Sequence, residues 1–335
     1  MTQAQLSPER ISRIFWGAAM SLTLEAALHL NVFDQLDAGP RTADEVAKAT
    51  KCAPRGMRAL LGALVGMELL TREGDRFALT PESAAFLVHS KPTFFGALAE
   101  RMREQYIPAW LPLEDAVRTG EPRRRVDTEG EASEFFPALV AALFRMNFPA
   151  ARALSEALKV GDGNAAASVL DLAAGSCVWS LPIAQRSKHV RVTAIDWPGV
   201  LATARRHAEQ HGVAAQYAFV GGDLATVDLG KGHDVALLGH ILHSLGEAKS
   251  RDLLKRAAAA LRPGGTIAIA EFVPNDERTG PLVPMLFGLN MLMNTEDGDV
   301  FTLAQMRGWL EDAGFRDVRT LAAPAPSPLI LATRK

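Results

Sequence analysis

The chain has 335 residues and a mass of 36.0 kDa, enough for about two domains. Apolar residues make up 48% and charged residues 22%, the balance of a globular protein rather than of a disordered, collagenous or coiled-coil chain. Lys and Arg number 36 against 38 Asp and Glu, a net charge of −2 that points away from nucleic acid and anionic membranes as main partners.

Residues 1–10 are polar and hold no apolar signal-peptide core. Two cysteines, Cys52 and Cys177, are too few for a disulfide framework, so a reducing, cytoplasmic setting is expected. Residues 11–30 read as a helix with an apolar face and a small-residue face (Gly17, Ala18, Ala19, Ala26, Ala27), which suits a close helix–helix dimer contact. Thr42 with Glu45 three residues later is a capping-box start for a helix over 42–50. Pro54 opens the next helix, where its missing N–H is harmless. Residues 69–71 and 76–80 flank Glu73-Gly74-Asp75 as a hairpin. Two helices and a hairpin make a winged helix, which raises DNA binding. Six basic residues face six acidic ones over 42–90, so phosphate contacts are poorly served and a regulator is the weaker reading.

Residues 91–158 read as a helical connector broken by a polar loop at 118–131, with Arg123-Arg124-Arg125 as a solvated run and a long amphipathic helix over 135–158. From residue 168 the pattern changes. Short apolar strands at 169–172, 190–195, 217–220, 235–238 and 266–270 alternate with helices at 181–186, 200–211 and 249–261. That alternation predicts βαβ units and a doubly wound parallel sheet. Pro263-Gly264-Gly265 turns into the fifth strand. The uncharged run 279–295, broken by Pro281, Pro284, Asn290 and Asn294, reads as a buried helix rather than a membrane span, and a helix over 301–313 ends at Gly314.

In such a sheet, ligands lie beyond the carboxyl ends of the strands. The turn after the first strand, Asp171-Leu172-Ala173-Ala174-Gly175-Ser176-Cys177, lets a ligand approach backbone but lacks the G-x-G-x-x-G of a pyrophosphate cradle. Asp196 ends the second strand, where a carboxylate can accept two ribose hydroxyls. Asp223 and Leu224 after the third suit an adenine amino group and ring face. The fourth strand runs into Gly239-His240-Ile241-Leu242-His243. As metal ligands the histidines lack a following Cys or carboxylate; as a base, either suits neutral pH. Glu271, after the fifth strand, could orient an imidazole.

In this order, the landmarks resemble those of the S-adenosylmethionine-dependent small-molecule O-methyltransferases, a class that includes caffeic-acid, hydroxyindole and bacterial polyketide enzymes. The resemblance covers nearly the whole chain. Leu28-His29-Leu30-Asn31-Val32-Phe33-Asp34, Thr42-Ala43-Asp44-Glu45-Val46-Ala47 and Leu79-Thr80-Pro81-Glu82 are similar to its winged-helix dimerisation domain. Ile195-Asp196-Trp197-Pro198, Gly222-Asp223-Leu224, Leu242-His243-Ser244, Arg262-Pro263-Gly264-Gly265 and Ala313-Gly314-Phe315 are similar to its catalytic-domain landmarks.

The resemblance implies a homodimer with a dimerisation domain at 1–100, a helical connector contributing to the acceptor pocket at 101–160, and a Rossmann-like α/β catalytic domain at 161–335. It implies S-adenosyl-L-methionine as cofactor, S-adenosyl-L-homocysteine as product and an aromatic or polyketide-like small molecule as acceptor. His243 is then the general base and Glu271 its partner. Asp171, Ala173, Gly175, Asp196, Trp197, Asp223, Leu224, Gly239 and His240 would bind cofactor, with His240 as substitute base. Met146, Asn147, Phe148, Phe287, Asn290, Met291 and Asn294 would line the acceptor pocket. No metal, nucleic acid or membrane is expected.

The chain departs from the family at several positions. Ala173 and Cys177 replace two of three glycines in the first motif, and the Cys177 side chain is expected to crowd the methionine portion. Gly239 replaces a basic residue, Ser244 stands where plant enzymes have aspartate, and their second acidic residue falls near Val300. The alternatives are methylation at carbon or nitrogen, and a methyltransferase-like scaffold turned to decarboxylation, hydroxylation or rearrangement.

Overall fold

The computed structural model describes residues 6–335, so the first half of the polar amino-terminal stretch lies outside the described residues. The chain clusters into two compact units, Met1–Leu111 and Pro112–Lys335.

In the first unit, the helix expected over 11–30 is two helices, Glu9–Phe15 and Gly17–His29, separated at Trp16. Ile11, Ile14, Phe15 and Trp16 remain 59–79% exposed. The capping box forms: Thr42 Oγ1 accepts from the Glu45 N–H at 3.2 Å, and Glu45 accepts from the Thr42 N–H at 2.7 Å. The helices Ala43–Ala49 and Pro54–Gly66 follow. Strand β1 (Arg41–Thr42), which sequence did not suggest, pairs with β3 (Arg76–Leu79), and β3 pairs with β2 (Leu70–Glu73). Glu73 opposes Arg76 across a two-residue turn whose Gly74 has φ +60°, a conformation open to glycine at no steric cost. The result is a winged helix, with Leu28, Phe33, Met57, Leu61 and Leu64 fully buried in its core.

The second unit holds a seven-stranded sheet: β4 (Ala167–Leu172), β5 (Val190–Asp196), β6 (Tyr217–Gly221), β7 (His233–Gly239), β8 (Leu261–Ala270), β9 (Phe315–Leu321) and β10 (Leu329–Arg334). The order is β6-β5-β4-β7-β8-β10-β9. The first five strands are parallel; β10 runs antiparallel between β8 and β9. This carboxyl-terminal pair is the part of the sheet that the apolar-run pattern did not reveal.

Side chains alternate across the sheet with the strand period of two. Val169, Val192, Val235, Leu237 and Leu331 face one core, under the long helix Glu129–Leu158 and the helix Pro198–Gln210. Leu170, Leu172, Leu238, Ile267 and Ile330 face the other, under the helices Leu242–Ala260 and Leu303–Asp312. The long helix starts six residues earlier than its apolar periodicity indicates and runs through Pro137 and Pro149. Helix Leu282–Asn294 is not wholly buried as expected: Leu282 and Val283 are 71% and 54% exposed.

The Arg123-Arg124-Arg125 run is not simply solvated. Its guanidinium groups pair with Asp115, Glu131, Asp127 and Glu296, and the Arg123 and Val126 N–H groups bond to the Met293 and Asn294 carbonyls. The loop is thereby tied to the end of helix Leu282–Asn294. Among the described residues no helix is long and apolar enough to cross a membrane.

Candidate active site

Strand order reverses at β4, so the crevice lies where β4, β5 and β7 end. Parallel register decides which residues meet there. Gly239 of β7 pairs with Ala270 of β8, so the chains that follow, through His240–His243 and Glu271, emerge side by side. His243 then lies in the first turn of helix Leu242–Ala260. Its Nδ1 is 2.6 Å from Glu271 Oε2, and both residues are buried. The other carboxylate oxygen, Oε1, accepts from the Leu242 N–H at 2.7 Å and the His243 N–H at 3.4 Å. One carboxylate thus caps the helix N-terminus and fixes the imidazole, an arrangement favoured by the helix dipole. Burial opposes ionisation of Glu271, but the His243 charge and hydrogen bond, with His240 and the backbone bond, hold its carboxyl below the usual range.

The loop after helix Leu282–Asn294 secures this turn. The Asp299 N–H bonds to the His243 carbonyl at 2.9 Å, and the position expected for a second acid, Val300, is a buried apolar residue. Asp299 itself pairs with Arg278.

His240 occupies the strand-end turn with a left-handed backbone, φ +60°, and its N–H bonds to the Ala270 carbonyl at 2.8 Å. Its Nδ1 is buried with no hydrogen-bond partner. Burial, reinforced by His243 and opposed by Glu271, pushes its imidazole down to about 4, so the ring is neutral near pH 7. A ring nitrogen of each histidine and a Glu271 oxygen lie within 4.8 Å of one another, so β8 supplies the carboxylate that spacing along the chain did not offer. Both Glu271 oxygens are nevertheless already engaged, by His243 and by backbone N–H groups.

Leu172 of β4 pairs with Ile195 of β5, so the first-motif turn emerges beside Asp196. Asp196 accepts from the Gly175 and Trp197 N–H groups, each at 2.7 Å. Burial raises its carboxyl to about 6 against these two bonds. Ala173, Gly175 and Cys177 have φ of +54°, +56° and +58°, so the turn is left-handed at all three motif positions although two of them carry a side chain. The expectation that Cys177 crowds the crevice is corrected: its side chain is fully buried in the core with Ala174, Val178 and Trp179. Asp171, alternating with Leu170 and Leu172, points into that same core. It accepts from the Ser180 hydroxyl, which also contacts the Tyr217 hydroxyl at 3.0 Å, and its Oδ1 has no partner. Desolvation, relieved in part by Ser180 and reinforced by Asp196, raises Asp171 to about 7. The Gly222 N–H bonds to the Asp196 carbonyl, which starts the Asp223-Leu224 loop beside Asp196. Asp223 is exposed and accepts from the Ala225 N–H, and Leu224 is half-buried.

These features fit S-adenosylmethionine. It has no phosphate to cradle, and its ribose matches a strand-end carboxylate.

Phe287 lies edge-on to His243 at 4.8 Å. It stacks on Phe272 at 4.0 Å, and Phe272 stands 5.2 Å from the His240 ring. Phe272 was missed by sequence reasoning; its one signal is its place directly after Glu271. Met291 is buried, and Asn294 Nδ2 donates to the Asn290 carbonyl at 2.8 Å and to Asn290 Oδ1 at 3.2 Å. Met146 and Asn147 are half-buried on the long helix, whose Val140 lies against Gly175. Phe148 instead stacks on Phe144 and lies tilted 5.7 Å from His211, so it faces the end of helix Pro198–Gln210.

Fold and site together define an S-adenosylmethionine-dependent methyltransferase. Residues 147–316 match the O-methyltransferase domain and residues 12–89 the O-methyltransferase dimerisation domain, and the chain belongs to this O-methyltransferase family. It is 31% identical over 332 residues to the tetracenomycin polyketide synthesis 8-O-methyltransferase TcmO of Streptomyces glaucescens, covering 96% of this chain and 94% of that one. It is 30% identical to human acetylserotonin O-methyltransferase, covering 95% of each. Among solved structures, a candidate O-methyltransferase of Nostoc punctiforme matches with a TM-score of 0.87 at 26% identity, over 99% of this chain and all of that one. The human N-acetylserotonin methyltransferase in complex with S-adenosylmethionine matches with a TM-score of 0.78 at 28% identity, over 100% and 99%.

Proposed function

We propose that this O-methyltransferase acts on a hydroxyl of an aromatic or polyketide-like small molecule, with His243 as general base. The hydrogen bond between His243 Nδ1 and Glu271 Oε2, 2.6 Å long and buried, carries the reading. With Nδ1–H donated to the carboxylate, Nε2 keeps the free lone pair and takes the proton of the acceptor. A phenol has a pKa of about 10, so it needs a base at the moment of attack. Glu271, held ionised, then stabilises the imidazolium. The cofactor supplies an electrophilic methyl group on a leaving group that departs neutral, so the protein's work is positioning and proton removal. Polyketide and acetylserotonin enzymes among the relatives support an aromatic acceptor.

Asp196 would take the ribose hydroxyls, Asp223 and Leu224 the adenine, and the turn Ala173–Cys177 with Trp197, Gly239 and His240 the remainder, while Asp171, turned into the core, would act only through that turn. Met146, Asn147, Phe287, Asn290, Met291 and Asn294 would line the acceptor side. The dimerisation-domain match and the exposed Ile11, Ile14, Phe15 and Trp16 support a homodimer formed through the first unit. Two free cysteines fit a cytoplasmic enzyme.

The test is His243→Gln. Turnover of an aromatic acceptor should fall by about 10²–10⁴-fold while the affinity for S-adenosylhomocysteine, measured by calorimetry, stays unchanged. Full activity in that variant overturns the assignment.

A further inference from the structure

The turn that carries His243 is set off from the helix it opens. Gly246 leaves the helical conformation at φ +74° and ψ 174°, so residues 242–245 stand as a separate turn ahead of the rest of helix Leu242–Ala260. Glu271 holds the N–H end of that turn, and its carbonyls are met from beyond the break. Ser250 Oγ donates to the Leu242 carbonyl at 3.0 Å, and the Asp299 N–H to the His243 carbonyl at 2.9 Å. The second approach is close enough to require glycine beside Asp299: a Cβ on Gly298 would lie 2.5 Å from the His243 carbonyl oxygen. The same loop is tied to the acceptor side. Thr295 Oγ1 donates to the Met291 carbonyl at 2.7 Å and accepts from the Gly298 N–H at 3.1 Å.

Arg278 grips this loop from the other end of helix Leu282–Asn294. Its Nη2 donates to both Asp299 carboxylate oxygens, at 2.8 and 3.0 Å, and its Nη1 to the Val300 carbonyl at 3.0 Å. Arg278 itself rests on a folded turn. Its N–H bonds to the Asn275 carbonyl at 2.9 Å, and Asn275 Oδ1 accepts from the Thr279 and Gly280 N–H groups at 2.8 and 3.1 Å. One guanidinium thus joins the segments before and after the helix, at the residue whose N–H holds His243. The ion pair is part-exposed, and such pairs add little to folding stability, so what this one sets is the place of the loop. We propose that Arg278 is a positioning residue for methyl transfer: through Asp299 it holds the isolated turn of His243 where Nε2 can take the proton of the acceptor. The proposal rests on the reading of His243 as general base. A base held slightly out of place loses turnover and leaves cofactor affinity as it was.

The experiment measures kcat and KM for polycyclic phenols, Kd for S-adenosylhomocysteine and Tm in Arg278→Ala, in Arg278→Lys, and in Arg278→Ala combined with His243→Gln. In Arg278→Ala, kcat should fall by about 10-fold while Kd and Tm stay near wild type. Arg278→Lys keeps a charge beside Asp299 but offers one nitrogen in place of two, so it should recover part of the loss. Because Arg278 acts through His243, its removal should lower kcat no further in the His243→Gln background. An equal fall in both backgrounds overturns the proposal, as does a fall that lysine leaves unrescued and that comes with weaker S-adenosylhomocysteine binding and a lower Tm; either means a general loosening. Full activity of Arg278→Ala overturns this proposal alone. Full activity of His243→Gln overturns the reading of His243 and this proposal with it, and absence of transfer to every phenol does the same for the acceptor class.

Discussion

The indole of Trp179 stands over the backbone of Gly239: a Cβ at that position would meet Nε1 at 2.1 Å and Cδ1 at 2.2 Å. The family's basic residue at this strand end has therefore not merely been lost. Its space belongs to a buried tryptophan that also packs 5.9 Å from the His240 ring. Gly239→Ala should destabilise the protein by about 1–3 kcal/mol or more, because indole and methyl cannot share the space. Adding Trp179→Leu should recover part of that loss although Trp179→Leu alone is destabilising. Such non-additivity between contacting residues is read from urea denaturation of the two single variants and the double. Additive losses would mean that the two positions do not compete.

Ala173 and Cys177 hold left-handed backbone at positions where the family has glycine. A side chain there costs about 1–2 kcal/mol, offset in part by the greater freedom that glycine loses on folding. Ala173→Gly should therefore stabilise the protein by about 0.5–1 kcal/mol, visible as a Tm raised by a few degrees. Cys177→Gly should show no such gain, because its side chain is fully buried and its removal leaves a cavity. A lower Tm for Ala173→Gly would show that the alanine methyl packs better than its backbone strain costs.

Much of this site was legible because parallel strands announce themselves as short apolar runs, and strand ends of a doubly wound sheet are where ligands bind. Asp196, His243 and Glu271 all stand at such ends. What sequence could not supply was register and direction. Gly239 opposite Ala270 is a pairing fact, and it decides that Glu271 reaches His243 across 28 residues of chain. That Asp171 and Cys177 turn into the core, and that Trp179 faces Gly239, depends on packing between elements distant in sequence. Strand β9 escaped notice because it is largely exposed and mixes charge with apolar residues, where apolar runs carry no signal, whereas β10 is a buried apolar run, 329–332, that lies beyond the strand–helix alternation.

Glu271 serves two backbone donors and one imidazole. Its replacements should separate those duties. Glu271→Gln keeps an acceptor for the Leu242 N–H but removes the charge, so folding stability should change little while turnover falls by about 10-fold or more. Glu271→Ala leaves buried N–H groups unpaired and should destabilise by about 1–3 kcal/mol in addition to its loss of turnover. Thermal denaturation and kcat measured on both variants check the split. Equal stability losses in the two would mean that the charge, and not the acceptor atom, holds the helix end.

The two carboxyls at the first-motif turn make a stability signature of the opposite sign from ordinary ion pairs. Asp171 is raised to about 7 and Asp196 to about 6, by desolvation first in each case. An unfolded aspartate titrates near ~3.9, so between about pH 4 and pH 7 the folded chain binds more protons than the unfolded one. Stability attributable to these groups is therefore present at low pH and is lost as pH rises through the folded values. Glu271, held low, works the other way: its contribution is present above its unfolded value and lost as pH falls. The difference between wild type and Asp171→Asn isolates one group from this sum. The variant should gain stability relative to wild type as pH rises from about 5 to about 8, reaching a plateau above the folded pKa, with the two closest together at the acid end. Urea denaturation at each pH measures the difference. Parallel curves would mean that Asp171 ionises as freely in the folded protein as in water, and that its unpartnered oxygen is solvated.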